Sequence, residues 1–233
     1  MAQRPVFMVY GQSPYYRSEL VDFRFFNGFA EIQQKKSIQS LHCAFIDRHP
    51  CEKVLEISSK SDCEIGIKLS AFNLMLKTLD NKSYSVESAF QSSKVFERGG
   101  PYKDLLKKTS REAKKDPRLK ESGKLVSFYF SKRIFPLFPT TYFYNWLYIN
   151  TLHLHHELTD ELMQYTAFTD IAFNQNKSIN CQACAAAIYV SLTRSGMLEK
   201  AIASPESFLS VVYGDGKSPN ADAQEQLSVW ELM

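Results

Sequence analysis

The segment from Thr141 to Leu158, TYFYNWLYINTLHLHHEL, constrains the fold more than any other. It is apolar on almost every side. A helix with apolar residues all round must be enclosed by the rest of its chain. The longest uninterrupted apolar stretches, such as Cys184 to Val190, fall short of the about 20 residues that span a bilayer. The expectation is therefore a globular domain built round a central buried helix. With 233 residues, 44% of them apolar and 23% charged, the chain can bury a sizeable core, and a disordered or fibrous protein is excluded.

Short strands are expected before that helix. Pro5 to Tyr10, Val21 to Phe26, Val54 to Ser58 and Gly66 to Phe72 are β-branched and aromatic, with turn residues between them. Gly11 to Ser18 reads as a turn or loop. Ser85 to Arg98 reads as a helix with Ser85 as N-cap, stopped by Gly99-Gly100. Lys103 to Lys115 reads as a second helix with a basic tail, and Leu125 to Phe130 with Arg133 to Leu137 as a hairpin. Glu161 to Phe168 extends or follows the central helix. Ile179 to Ser195 is an Ala-rich helix ended by Gly196. Phe208 to Tyr213 looks strand-like, and the tail beyond turns polar around Gly214-Asp215-Gly216 and Ser218-Pro219. The fold class is α+β, a single domain over 1–233, with a mainly helical core and short N-terminal and central strands.

The N-terminus carries no basic-then-apolar signal, so a cytoplasmic protein with no membrane partner is expected. Its 5 cysteines, an odd number, argue for thiols rather than a disulfide framework. Cys181-x-x-Cys184 has the spacing of half a zinc site, but no second half follows, and the pair opens an Ala-rich helix where small buried cysteines pack well. His155 and His156 are adjacent and point apart on a helix, so a metal site is not expected there either. No GxSxG, P-loop or dinucleotide fingerprint is present. The net charge of +3 is too small to announce a nucleic-acid binder, although a local basic patch is what counts.

Glu87, Gln91 and Lys94 fall at i, i+4 and i+7, one face of a helix with about 3.6 residues per turn. A carboxylate, an amide and an amine thus share a stripe bordered by Phe90 and Phe96. Such a stripe is either a solvated face or a site. It follows a Ser70-Ala71-Phe72-Asn73 turn with the character of a ligand-binding loop. A Lys held beside a Glu in a partly buried site can have its pKa lowered by that burial, and then attacks a carbonyl or aldehyde carbon.

Leu69-Ser70-Ala71-Phe72, then Glu87-x-x-Phe90-Gln91-x-x-Lys94, then Asp170-x-x-Phe173-Asn174 and Ile179-Asn180-x-x-Ala183 occur in order. In these blocks the chain resembles the NADAR family, and in particular the branch encoded beside DarT-type toxins. The match covers residues 66–195, with 1–65 as a strand-rich extension and 197–233 as a tail. Asn27-Gly28-Phe29 and Lys36-Ser37-Ile38 resemble that branch too. Phe173-Asn174 stands where the family has Trp-Gly, and Gln175-Asn176-Lys177-Ser178 replaces its glycine-rich loop.

The resemblance implies an antitoxin that removes ADP-ribose from guanine in DNA by N-glycosidic cleavage, reversing a DarT-like toxin. It implies Glu87, Lys94 and Asp170 as catalytic residues, and Ser70, Phe72, Asn73, Phe90, Gln91, Phe173 and Asn180 as substrate-binding residues. Lys94 would form a Schiff base with C1 of the opened ribose, or support direct attack by water. No cofactor and no metal are expected. The partners are ADP-ribosylated DNA with its guanine single-stranded or flipped out, the ADP-ribose product, and a DarT-like toxin. Lys107, Lys108, Arg111, Lys114 and Lys115, and separately Lys35 and Lys36, either follow the phosphates or are solvated faces. Two other readings stay open: an N-glycosidase of a small ribosylated nucleotide, and a non-catalytic immunity protein that binds the toxin.

Overall fold

The computed structural model describes residues 1–28, 30–78, 80–175 and 178–214. Phe29, Asn176, Lys177, Asp215-Gly216 and Ser218-Pro219, named above, lie outside the described residues. In chain order the strands are β1 (Ala2–Val9), β2 (Tyr16–Phe23), β3 (Val54–Glu56), β4 (Met75–Lys77), β5 (Ser83–Ser85), β6 (Lys94–Phe96), β7 (Leu125–Phe130), β8 (Arg133–Phe135) and β9 (Ala167–Thr169). The helices are α1 (Glu31–Ile46), α2 (Glu64–Lys68), α3 (Val86–Ser92), α4 (Ser110–Lys114), α5 (Arg118–Glu121), α6 (Tyr142–His153), α7 (His156–Leu162), α8 (Gln182–Arg194), α9 (Leu198–Ile202) and α10 (Pro205–Phe208). A 3-10 turn spans Lys103–Lys107 and a π-helical turn spans Leu209–Tyr213.

The main sheet has the order β2-β1-β9-β3. β9 runs antiparallel to β1 and parallel to β3, so a strand from late in the chain is slotted between two early ones. Side chains alternate across this sheet as the strand pleat requires. Val6, Val21, Phe23 and Ala167 face α1, where Ile38, Leu41 and Phe45 close a small core. Phe7, Leu55 and Phe168 face the other way, into a large core built on α6 and α8. Both faces are therefore covered by helices. Ala183, Ala185, Ala186 and Ala187 let α8 lie close to its neighbours, and all four are buried.

The α+β class is borne out, and so is the hairpin of β7 and β8. Its turn places Ser131 and Lys132 at φ 48° and 63°, as a tight two-residue hairpin turn demands. Other expectations need correction. α1 lies in a stretch where only strands were expected. Gly66 to Phe72 is not a strand: it supplies the end of α2 and a turn closed by the Ser70 hydroxyl on the Ile67 carbonyl at 2.7 Å. A Cβ on Gly66 would stand 2.1 Å from the Glu56 carbonyl oxygen, so helix α2 packs directly on backbone there.

The central helix is buried as expected but stops at His153 rather than Leu158. His155 leaves helical geometry, and its ring nitrogen reaches the Met75 carbonyl at 2.8 Å. The basic segment is split into two short helices because Thr109 and Glu112 form a capping box that starts α4 afresh. Phe208 to Tyr213 is helical, not strand-like, with Phe208, Val212 and Tyr213 buried on one side.

Candidate active site

α3 begins at the expected Ser85 cap, whose side chain accepts from the Ser88 N–H at 3.1 Å. Its first turn docks onto the loop after α2: Glu87 N–H donates to the Ala71 carbonyl and Val86 N–H to the Leu74 carbonyl, both at 2.9 Å. That docking holds the turn that carries Phe72 against the start of α3. The helix does not run on to Gly99. The Ser92 and Ser93 hydroxyls both fold back on the Ala89 carbonyl, at 2.9 and 2.7 Å. Such back-bonding favours a helix end. The next residues, Lys94-Val95-Phe96, form β6 and pair with β7. Lys94 therefore reaches the site from a strand, and the shared helical face holds only for Glu87 and Gln91. Gly100 allows the following return of the chain: its φ is +81°, and a Cβ would stand 2.3 Å from the Lys94 carbonyl oxygen.

These elements enclose a cavity of about 230 Å3. Eight of the ten expected site residues line it: Phe72, Glu87, Phe90, Gln91, Lys94, Asp170, Phe173 and Asn180. Ser70 and Asn73 do not. Both spend their polar groups on the Ile67 carbonyl, at 2.7 and 2.9 Å, and shape the turn that carries Phe72.

Lys94 is only 9% exposed, and its Nζ stands 5.2 Å from the centre of the Phe90 ring. Burial pushes its pKa down to about 8, with Glu87 opposing the shift and Lys114 adding to it. Glu87 is buried. It accepts from Gln91 Nε2 at 2.9 Å and lies 3.8 Å from Lys114 Nζ. That bond orients the Gln91 amide; among the described residues neither Gln91 Oε1 nor Asn180 Oδ1, both buried, has a donor. Buried polar atoms ordinarily have partners. Both residues line the cavity.

Asp170 follows β9. One carboxylate oxygen accepts from the Ala172 N–H at 3.0 Å, the other from Gln182 Nε2 at 3.1 Å. Burial and the neighbouring Glu56 hold its carboxyl well above the usual carboxylate range. Glu56, itself buried, is also pushed up by desolvation, against bonds from the Ile171 N–H at 2.9 Å and the Thr169 hydroxyl at 2.6 Å.

Sequence reasoning missed Gln182 and Tyr144, which also line the cavity. Gln182 opens α8 and joins three segments. Its oxygen accepts from the Ala71 N–H at 2.7 Å, and its nitrogen donates to the Ile57 carbonyl at 2.6 Å as well as to Asp170. A lone Gln carries no spacing signal. Tyr144 sits in a helix aromatic throughout, where nothing distinguishes it from a core residue. Lys114, noted above only as part of the basic run, stands at the mouth with its Nζ 5.5 Å from the Phe72 ring centre.

The fold and the site define a class: an α+β domain in which a buried amine, two carboxylates and two amide side chains line one cavity. The chain belongs to the DarT1-associated NADAR antitoxin family, whose model matches residues 2–222. No curated protein matches the chain. Among the described residues, no helix is long and apolar enough to cross a membrane.

Proposed function

We propose that this antitoxin is an ADP-ribosyl hydrolase that frees guanine in DNA from ADP-ribose and so reverses a DarT-like toxin. One observation carries the reading: a lysine whose burial favours its neutral amine faces the same cavity as Glu87 and Asp170. A neutral amine is a nucleophile, and an ammonium is not.

The chemistry follows from those groups. Asp170, held above the usual carboxylate range, is a proton donor to the ring oxygen of the distal ribose. Ring opening leaves C1 doubly bonded to the exocyclic nitrogen of guanine. Lys94 Nζ adds to C1, a proton passes through Glu87 to the departing nitrogen, and guanine leaves with its amino group restored. C1 is then bonded to Lys94 as a Schiff base. Water adds to C1, the amine departs, and the sugar recloses as ADP-ribose. Gln91 Oε1 and Asn180 Oδ1 accept from ribose hydroxyls. Lys107, Arg111, Lys114 and Lys115 are exposed on the segment beside the mouth and suit a phosphate backbone. Lys108 and Lys35 are already paired, with Asp116 at 2.7 Å and with Glu31 and Asp62 at 3.0 and 3.2 Å.

The test uses an oligonucleotide bearing ADP-ribosylated guanine, incubated with the parent, Lys94→Ala and Glu87→Ala. The expected result is release of ADP-ribose by the parent alone, and a borohydride-trapped adduct that Lys94→Ala does not form. A folded parent that leaves the modification in place overturns the proposal.

A further inference from the structure

Helix α6 carries three buried tyrosines, Tyr142, Tyr144 and Tyr148. A buried phenol hydroxyl ordinarily finds a partner. Two of the three donate to backbone carbonyls: Tyr142 Oη to Pro205 and Tyr148 Oη to Leu69, both at 2.7 Å. Tyr144 is the exception. Among the described residues its hydroxyl has no hydrogen-bond partner, although the residue is only 5% exposed. It is also the member of the three that lines the Lys94 cavity.

The Tyr144 ring is held on two sides. Phe90 meets it edge-on with ring centres 5.2 Å apart, and Tyr148 stacks on it at 6.2 Å. The same Phe90 ring has Lys94 Nζ at 5.2 Å from its centre, so the amine and Tyr144 flank one aromatic side chain. Burial first, then Glu87, with Tyr148, Cys181 and Asp170 adding to it, holds the Tyr144 phenol well above its ordinary range. The hydroxyl therefore stays neutral and keeps its proton.

The ring oxygen of a ribose has lone pairs and no hydrogen, so Gln91 Oε1 and Asn180 Oδ1 cannot serve it. It needs donors. Gln91 Nε2 is already given to Glu87, and Gln182 Nε2 to the Ile57 carbonyl and Asp170. Tyr144 Oη is not spent in this way.

We infer that Tyr144 is a further catalytic residue, whose hydroxyl donates a hydrogen bond to the ring oxygen of the distal ribose as that ring opens. The inference rests on the reading of the Lys94 cavity as the place of that ribose. When the bond from C1 to the ring oxygen breaks, its electron pair stays on the oxygen. The proton that the oxygen then takes comes from Asp170, and Tyr144 keeps its own. While negative charge grows on the oxygen, the Tyr144 hydrogen bond strengthens with it. C1 and the ring oxygen are neighbours in one sugar, which matches an amine and a hydroxyl on either side of Phe90.

Tyr144→Phe keeps the ring and removes only the hydroxyl; Tyr142→Phe, on the same helix but away from the cavity, is the control. Parent and variants are compared on the oligonucleotide bearing ADP-ribosylated guanine and in urea unfolding. Tyr144→Phe should lose about 100-fold in kcat, the scale of one donor to a developing oxyanion. Its KM should change by no more than about fivefold, and its urea midpoint should not fall, because no partner is stranded. Tyr142→Phe strands the Pro205 carbonyl, so its midpoint should fall while kcat stays. A Tyr144→Phe kcat within about tenfold of the parent's, or a loss accompanied by a lowered midpoint, overturns the role. A parent that releases no ADP-ribose is a failure of the hydrolase reading instead. The contact is then read by calorimetry with ADP-ribose, which Tyr144→Phe should bind about fivefold more weakly than the parent. Equal binding, or none by either protein, overturns the contact too.

Discussion

Lys94→Met should make the protein more stable while removing its activity. The ammonium of Lys94 is buried against Phe90, and its pKa falls from 10.5 to about 8 on folding. The native state therefore holds this proton less tightly than the unfolded chain does. The resulting penalty is absent above pH 10.5, grows as pH falls from there, and is complete below about pH 8. A shift of that size corresponds to about 3 kcal/mol at pH 7 and about 1 kcal/mol at pH 10. Methionine has nearly the same length and no charge, so it removes the penalty with little change in packing. Urea unfolding of parent and variant at pH 7 and pH 10 reads the difference directly. The variant should gain up to about 3 kcal/mol at pH 7, and clearly less at pH 10. A variant that is less stable at both pH values, or whose advantage does not shrink with rising pH, refutes the argument that Lys94 is buried at a cost.

Three further outcomes are expected. Turnover should be bell-shaped in pH, with its maximum between about 7 and about 8: it rises as the Lys94 amine loses its proton and falls as Asp170 loses the proton it donates; in Lys114→Gln, which removes a positive charge that lowers both groups, a pH–rate series should show both limbs moved to higher pH. Gln182→Ala should lower stability by about 2–3 kcal/mol in chemical denaturation, since it strands the Ala71 N–H and the Ile57 carbonyl, and kcat should fall with it because Asp170 loses a partner. Gly100→Ala should cost about 2–3 kcal/mol in thermal melts, because φ is +81° there and the added Cβ meets the Lys94 carbonyl oxygen at 2.3 Å; an unshifted Tm would show that the return after β6 is not tight.

The candidate site was legible where chemistry and local pattern coincide. Glu87 and Gln91 at i and i+4 do bond side chain to side chain at 2.9 Å. Lys94 was placed in the site for the wrong local reason, because the hydroxyls of Ser92 and Ser93 end the helix and periodicity does not register that competition. The helix α1 was hidden because its polar stretch EIQQKKS carries few apolar residues before Ile38, so its buried stripe is short. Gly66 to Phe72 reads as a strand on composition, yet tertiary packing decides it, through the contact of Gly66 with the Glu56 carbonyl. Gln182 was illegible for a similar reason: its three partners come from Ile57, Ala71 and Asp170, far apart in the chain.

The place of β9 between β1 and β3 has a consequence for synthesis. A nascent chain that ends before Ala167 has its N-terminal hairpin and β3, but not the strand that joins them. It has neither Asp170 nor Gln182. At about 5–20 residues per second, the hairpin and β3 wait several seconds for β9, Asp170 and Gln182 to be made. A chain cut short of α8 would therefore lack the side chain that ties Ile57, Ala71 and Asp170 together, and with it the order of the cavity wall.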